Sequence, residues 1–172
     1  VVIYGCTSAT LTHGPAFDRA LAKQIEAASG AKTVTAAGAL VHALNSLGAK
    51  RIGFASPYVA AINELAVEFL ASSGFETVIR SEVDGTLGNH EQGALDPDAV
   101  YALGLKADHP DAEAIVLSCT EMRGVETLDR LEQKLGKPVV SSNQAMMFEA
   151  LGALNITDPI KGFGNLLERI KG

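Results

Sequence analysis

The two cysteines of this 172-residue chain occupy matching sequence surroundings. Cys6 follows an apolar run at positions 1–4, Cys119 ends the apolar segment AEAIVLSC, and each is followed by a residue with a hydroxyl group. One such cysteine alone is more often a small buried apolar side chain than a reactive one. The repeated pattern favours a chemical role for both, because a thiolate is a strong nucleophile and a thiol can donate a proton.

A pair of thiols in one cleft suits two kinds of chemistry at a carbon next to a carboxylate. The thiols can act as base and acid on opposite faces of that carbon, or one thiolate can add reversibly while the other exchanges the proton. Neither scheme requires a metal ion or an organic cofactor. The cysteines do not suggest a disulfide framework, no CxxC or HxxxH spacing offers a metal site, and Gly85 and Gly88 lack the context of a dinucleotide fingerprint. We therefore expect no cofactor.

The elements that must position these cysteines alternate between strand and helix patterns. Residues 1–4 indicate a buried parallel strand with a loop after it, and FDRALAKQIEAASG predicts a helix that Gly30 ends. TVTAAGALVHALNSLG predicts a second helix, which begins near Thr35 or Ala36 and ends at Gly48. KRIGFASP then predicts a strand, and residues 58–73 predict a helix.

The second half of the chain continues this alternation. FETVIRSEV predicts a strand and DGTLGNHEQG a glycine-rich loop, after which Asp96 and Pro97 begin a helix that runs to about Lys106. The strand AEAIVLSC, a helix over residues 122–135, the strand KPVVS, a helix over residues 142–154 and a terminal helix from about residue 161 follow. The order predicts an α/β fold with mainly parallel sheets, in which both cysteine loops lie at the carboxyl ends of strands.

Composition limits the classes of partner. The formal charge is -6, the pI is about 5.2, and the 14 Lys and Arg residues are scattered, so we expect neither nucleic acid nor a membrane as partner. No apolar run approaches the length of a membrane span and no export signal precedes one, which predicts a cytoplasmic protein. With 47% hydrophobic residues and no linker, residues 1–172 should form one unit.

Three segments resemble the Asp/Glu racemase superfamily, in particular its branch of maleate cis-trans isomerases and arylmalonate decarboxylases. They are YGCTSAT, TVTAAGALVHALNSLGAKRIGFASPYVAAINELAVEFL and VLSCTEMRGVETLDRLEQKLGKPVVSSNQA, which occur in the order typical of that branch and cover nearly all of the chain. The resemblance implies a three-layer sandwich with two pseudo-symmetric lobes around one cleft. It also implies a small carboxylate as substrate, no cofactor, and a homo-oligomer.

The same resemblance implies roles for individual residues. Cys6 corresponds to the nucleophile or one base, and Cys119 to the opposing acid or base. Tyr58 matches a tyrosine that contacts substrate in maleate isomerases, and Asn89 corresponds to their asparagine in the loop after the following strand. The remaining candidates would offer backbone N–H groups and hydroxyls to the substrate carboxylates: Thr7, Ser8 and Thr120.

The sequence departs from the pattern of the family in two respects. Family members carry a first βα unit with an asparagine that helps to hold substrate, and we expect that unit to lie outside this sequence. The decarboxylases of the branch keep only the second cysteine and have glycine where Cys6 stands, so Cys6 argues against decarboxylation.

The leading hypothesis is a cofactor-independent isomerase that converts maleate to fumarate. An amino-acid (Asp/Glu) or hydantoin racemase is the alternative, because SCTE also resembles racemases, whereas Cys-Thr-Ser in the first loop is the isomerase-like form. An arylmalonate-type decarboxylase and a non-catalytic small-ligand-binding domain represent other classes. We expect His90 to be solvated, and Arg123 either to neutralise a carboxylate or to pair with Glu121 or Glu126.

Overall fold

The computed structural model describes residues 1–170. The strands within them are β1 (Val2–Tyr4), β2 (Thr33–Thr35), β3 (Arg51–Ser56), β4 (Glu76–Glu82), β5 (Ala114–Leu117) and β6 (Val139–Ser141). The helices are α1 (Thr7–Leu11), α2 (Gly14–Ser29), α3 (Ala36–Leu47), α4 (Ala60–Ser72), α5 (Asn89–Ala94), α6 (Pro97–Lys106), α7 (Leu128–Leu135), α8 (Ser142–Ala153) and α9 (Asn165–Glu168). A 3-10 turn over Gly124–Thr127 precedes α7.

The strands form two sheets, in which every pairing among the described residues is parallel. Strands β1 and β2 make a two-stranded sheet, while the other four pair in the order β4-β3-β5-β6. Parallel neighbours require a crossover, and helices supply it here. The predicted α/β class with parallel sheets is therefore confirmed.

Helices cover both faces of the larger sheet. Ala114 and Val116 of β5 belong to one apolar cluster, and the alternate residues Ile115 and Leu117 belong to another. Because successive side chains of a strand point to opposite faces, these two clusters are the two faces of the sheet. A strand that is buried on both faces consists of apolar residues throughout. This explains why apolar and polar residues do not alternate in β5.

Several helix ends lie where the sequence predicts them. Thr35 caps α3 by accepting a hydrogen bond from the Gly38 N–H at 3.2 Å, and Gly48 ends this helix with φ 72°. Asp96 caps α6 by accepting from the Ala99 N–H at 2.7 Å. Such caps satisfy backbone groups that have no partner inside the helix, so they identify helix ends reliably in a sequence.

Two predicted helices are shorter than expected. The helix predicted over residues 122–135 begins only at Leu128, because the tighter turn brings Gly124 against β5 and β6: a Cβ atom on Gly124 would lie 3.3 Å from the Ser141 Cβ. The terminal helix predicted from about residue 161 is limited to α9. Gly162 and Gly164 have φ values of 88° and 79°, which no right-handed helix accommodates.

Three short elements lie where the sequence predicts loops or a different element. Helix α1 begins directly after Cys6, strand β2 occupies the start of the TVTAAG segment, and α5 lies within the predicted glycine-rich loop. Each has three to six residues, which is too short for a periodic pattern to reveal. None of the helices within residues 1–170 combines the length and apolar character that crossing a membrane needs.

Candidate active site

Cys6 lies between the end of β1 and the first turn of α1. Its backbone is extended, with φ −122° and ψ 96°, and its carbonyl oxygen accepts a hydrogen bond from Thr10 Oγ1 at 3.0 Å. The Cys6 Sγ lies 3.8 Å from Ser8 Oγ and the residue is partly exposed. A thiol that solvent and small molecules can reach, held at the start of a helix, meets the requirements of a nucleophile.

Cys119 lies at the corresponding place after β5 but is only 3% exposed. Its Sγ donates to Gln92 Oε1 of α5 at 3.4 Å. Burial raises the pKa of the Cys119 thiol above its ordinary value, and hydrogen bonds from Tyr58 and nearby backbone N–H groups offset this only in part. The negative charge of Glu121 raises the same pKa further. Cys119 is therefore protonated at neutral pH and able to donate a proton.

The two cysteine loops are joined by hydrogen bonds. Thr120 Oγ1 donates to the Gly5 carbonyl oxygen at 3.0 Å, and Asn143 Nδ2 donates to the Thr120 carbonyl oxygen at 3.0 Å. The carboxyl ends of β1 and β5 are thus on the same side of the molecule, as the strand pattern predicts. The hydroxyl proton of Thr120 is used in this contact, so the side chain connects the two loops.

Tyr58 reaches the same place from the loop between β3 and α4. The buried Asn63 holds this loop: its Nδ2 donates to the Tyr58 carbonyl oxygen at 2.9 Å, and its Oδ1 accepts from the Ser56 hydroxyl. The Tyr58 side chain is 5% exposed, and its hydroxyl faces Cys119 and Thr7. Burial and the neighbouring Cys119 raise the pKa of Tyr58, which keeps the phenol neutral and able to donate a hydrogen bond.

These side chains surround one cavity of about 150 Å³. Its lining consists of Gly5, Cys6, Thr7, Ser8, Tyr58, Asn89, Gln92, Cys119, Thr120 and Glu121. All seven residues proposed from the sequence are among them. Thr7 Oγ1 is buried beside the Tyr58 hydroxyl and has no other hydrogen-bond partner within the described residues.

Besides Gly5, two residues of the lining were not proposed as site residues from the sequence, Gln92 and Glu121. Gln92 lies one helical turn beyond Asn89 on α5, so interpreting NHEQGA as a helix would have placed both on one face. A signal for this helix exists in Glu91, whose carboxylate accepts from the Gly88 N–H at 2.7 Å. Glu121 follows Thr120 directly, and no pattern distinguishes it from a solvated carboxylate.

Other candidate residues lie outside the cavity. His90 is exposed and does not belong to the lining. Arg123 forms a bidentate ion pair with Glu126, with nitrogen–oxygen distances of 2.7 and 2.8 Å, which is the structural alternative predicted for it. Within residues 1–170, no group of three or more His, Cys, Asp or Glu side chains is placed to hold a metal ion.

A parallel α/β scaffold that presents two thiols, hydroxyls and amides to one small cavity defines an enzyme that performs thiol chemistry on a small molecule. The chain belongs to the arylmalonate decarboxylase family, whose sequence profile matches residues 1–167. The predicted membership in this branch of the Asp/Glu racemase superfamily is thereby confirmed.

Individual relatives represent both activities of the branch. The chain is 29% identical to a maleate isomerase of Geobacillus stearothermophilus over 175 residues, which covers 97% of this chain and 68% of that protein. It is 31% identical to an arylmalonate decarboxylase of Bordetella bronchiseptica over 148 residues, or 84% of this chain and 61% of that protein. A cysteine-to-serine mutant of a Nocardia farcinica maleate cis-trans isomerase, with a covalently bound succinylcysteine intermediate, superposes with a TM-score of 0.91 at 26% identity, covering 98% of this chain and 71% of that one.

Proposed function

We propose that this protein is a cofactor-independent cis-trans isomerase of a small unsaturated dicarboxylate, with maleate to fumarate as the reaction. The observation that carries the proposal is the pairing of a partly exposed thiol, Cys6, with a buried protonated thiol, Cys119, across one small cavity. Maleate isomerases among the relatives, one with a succinylcysteine intermediate, support the same reaction.

The proposed chemistry begins with addition of the Cys6 thiolate to one alkene carbon of maleate. The electron pair of the double bond moves to the neighbouring carbon, which takes the proton of Cys119 and leaves an S-succinyl adduct on Cys6. The former double bond is now single and can rotate. The Cys119 thiolate then removes the proton, the bond to sulfur breaks, and fumarate leaves with Cys6 again a thiolate.

The other lining residues bind and orient the carboxylates in this proposal. Hydroxyl and amide donors at Thr7, Ser8, Tyr58 and Asn89 surround the cavity and would hold the two carboxylates while the central bond rotates. Thr7 supports this assignment best, because its buried hydroxyl lies beside that of Tyr58 and has no other partner among the described residues. Donors fixed by the fold stabilise the negative charge that develops beside a carboxylate after addition.

The test is proton NMR of the protein in D₂O with maleate and, separately, with each enantiomer of aspartate and glutamate. We expect fumarate from maleate, and a loss of at least about a thousandfold in rate for both Cys6→Ser and Cys119→Ser. Exchange of deuterium into an amino-acid α-carbon, without fumarate, would instead establish a racemase.

Intact-mass measurement separates the two cysteines. Since the chain has only two, each serine variant retains a single thiol. Cys119→Ser should accumulate an adduct heavier by one maleic acid on Cys6, whereas Cys6→Ser should form none. An adduct on Cys119 instead would contradict the assigned roles.

Two wider predictions accompany the function. Because both thiols must stay reduced, we place the protein in the cytoplasm. The homo-oligomer implied by the resemblance stays a prediction, which sedimentation equilibrium of the purified protein would check.

A further inference from the structure

Glu121 is the one charged side chain among the described residues that line the cavity. It lies two positions beyond Cys119 and faces α5: a Cβ atom on Gly93 would be 3.9 Å from Glu121 Oε2 and 3.7 Å from its carbonyl oxygen. The carboxylate is thus at the edge of the cavity between the Cys119 loop and α5. The isomerase scheme assigns it no role.

Within residues 1–170, no cation of the lining balances this charge. The other lining residues carry hydroxyl, amide, phenol or thiol groups or are glycine. Arg123, two residues further along, is occupied by its bidentate ion pair with Glu126. Burial raises the pKa of the Cys119 thiol, and the negative charge of Glu121 adds to this in the same direction.

A dicarboxylate would bring one of its negative charges close to this glutamate. Like charges at such a distance repel, and hydroxyl and amide donors do not cancel the repulsion. A carboxamide in the same place has no charge and presents two N–H donors to the Glu121 oxygens. A glutamate at this place would therefore discriminate between substrates that are identical except for one terminal group.

We propose that Glu121 is a specificity-determining residue that makes the protein prefer a cis-alkene monocarboxylate with a carboxamide at the other end, such as maleamate, over the dicarboxylate. This inference rests on the proposed isomerisation and refines its substrate class: maleate remains a substrate, and maleamate is converted with the higher kcat/KM. The free carboxylate then binds among the donors near Cys6, and the amide lies beside Glu121. The addition, rotation and elimination steps are unchanged.

The experiment compares kcat/KM for maleamate and maleate by proton NMR in the wild-type protein, Glu121→Gln and Glu68→Gln. Glu68 is an exposed glutamate of α4 outside the cavity and serves as the matched control. We expect the wild type to prefer maleamate, and Glu121→Gln to move the ratio towards maleate by about fivefold through a lower KM. This shift should shrink as salt is added.

The remaining outcomes of this experiment would contradict either the role of Glu121 or the proposed isomerisation. An unchanged ratio in Glu121→Gln, an equal shift in Glu68→Gln, or a wild-type preference for maleate would overturn the role of Glu121 while leaving the isomerase intact. Absence of turnover of both substrates by the wild type would overturn the proposed function, and the substrate assignment with it. Circular dichroism of Glu121→Gln checks that the fold is retained.

Discussion

At the scale of single residues, the two thiols differ in the property that their roles require. Cys6 is partly exposed beside Ser8, whereas Cys119 is enclosed by Tyr58 and Gln92. Burial disfavours the thiolate, so in the proposed mechanism Cys119 keeps its proton until a neighbouring carbon takes it. In the proposed mechanism one residue type thus supplies a nucleophile and an acid, because the fold buries one copy and not the other.

The raised pKa of Cys119 predicts how isomerisation depends on pH. The protonated thiol is the required form, so activity should be lost as the pH rises through this pKa. Glu121 contributes to the elevation, and Glu121→Gln should therefore move the alkaline limb of kcat/KM to lower pH. The measurement is the pH profile of both proteins at constant ionic strength.

Glu68→Gln is the control for the pH profile, because Glu68 is exposed on α4 and is not a lining residue. Its alkaline limb should coincide with that of the wild type. A Glu121→Gln limb at unchanged or higher pH would contradict an electrostatic effect of Glu121 on the Cys119 thiol.

At the scale of elements, the loop between β3 and α4 depends on one buried amide. Asn63 binds the Tyr58 carbonyl, the Ser56 hydroxyl and Glu82 Oε2, the last at 2.6 Å. Asn63→Ala would leave the Tyr58 carbonyl oxygen without this partner and would remove one of two contacts each from the Ser56 hydroxyl and Glu82 Oε2. We therefore expect the free energy of unfolding to fall by about 3 kcal/mol. Chemical denaturation measures this loss, and KM should rise because Tyr58 is no longer held.

The neighbouring Glu64→Gln is the matched control for Asn63→Ala, since Glu64 is exposed on the same helix. Its free energy of unfolding should stay within about 0.5 kcal/mol of the wild type. Equal denaturation midpoints for Asn63→Ala and the wild type would show that the amide network does not hold this loop.

Two glycines give opposite predictions for the same substitution. A Cβ atom on Gly53 of β3 would overlap the Ala107 carbonyl oxygen, whereas nothing lies within 4 Å of one on Gly152 of α8. Gly53→Ala should destabilise the fold by at least about 2 kcal/mol, since the backbone must shift. Gly152→Ala should stabilise it by about 0.5 kcal/mol, because alanine favours a helix. Thermal unfolding of both variants checks the pair; destabilisation of equal size in both would contradict the close packing of α6 on β3.

The elements also explain how much the sequence could predict. The parallel order and the placement of Cys6 and Cys119 follow from apolar runs and caps, which are local signals. The only local signal for α5 is the capping residue Glu91, and the contact of Gln92 with Cys119 is a tertiary contact that no local pattern encodes. The sequence pattern wrongly includes Gly124 in an α-helix, because the close approach of Gly124 to Ser141 is a tertiary contact that a local pattern does not show.

At the scale of the whole molecule, the two sheets share an apolar core. Val34 of β2, Leu40 of α3, Phe54 of β3 and Met146 of α8 belong to one buried cluster, so the sheet that carries Cys6 and the sheet that carries Cys119 are packed together. Elements that share a core unfold together. We therefore propose that residues 1–172 form one cooperative unit, and that this unit holds the two thiols at a constant separation.

Leu40→Ala tests this coupling, because Leu40 of α3 is fully buried in the shared cluster. Leaving a cavity there should lower the free energy of unfolding by about 3 kcal/mol. The measurement is the urea concentration at which each cysteine becomes half alkylated, in variants that keep only Cys6 or only Cys119. Leu40→Ala should lower both urea midpoints equally. Leu65→Ala is the control, because Leu65 is exposed, and it should change neither midpoint. A lower urea midpoint for Cys6 alone would mean that the smaller sheet opens without the larger one. The cavity, which both cysteine loops line, would then lose its geometry without global unfolding.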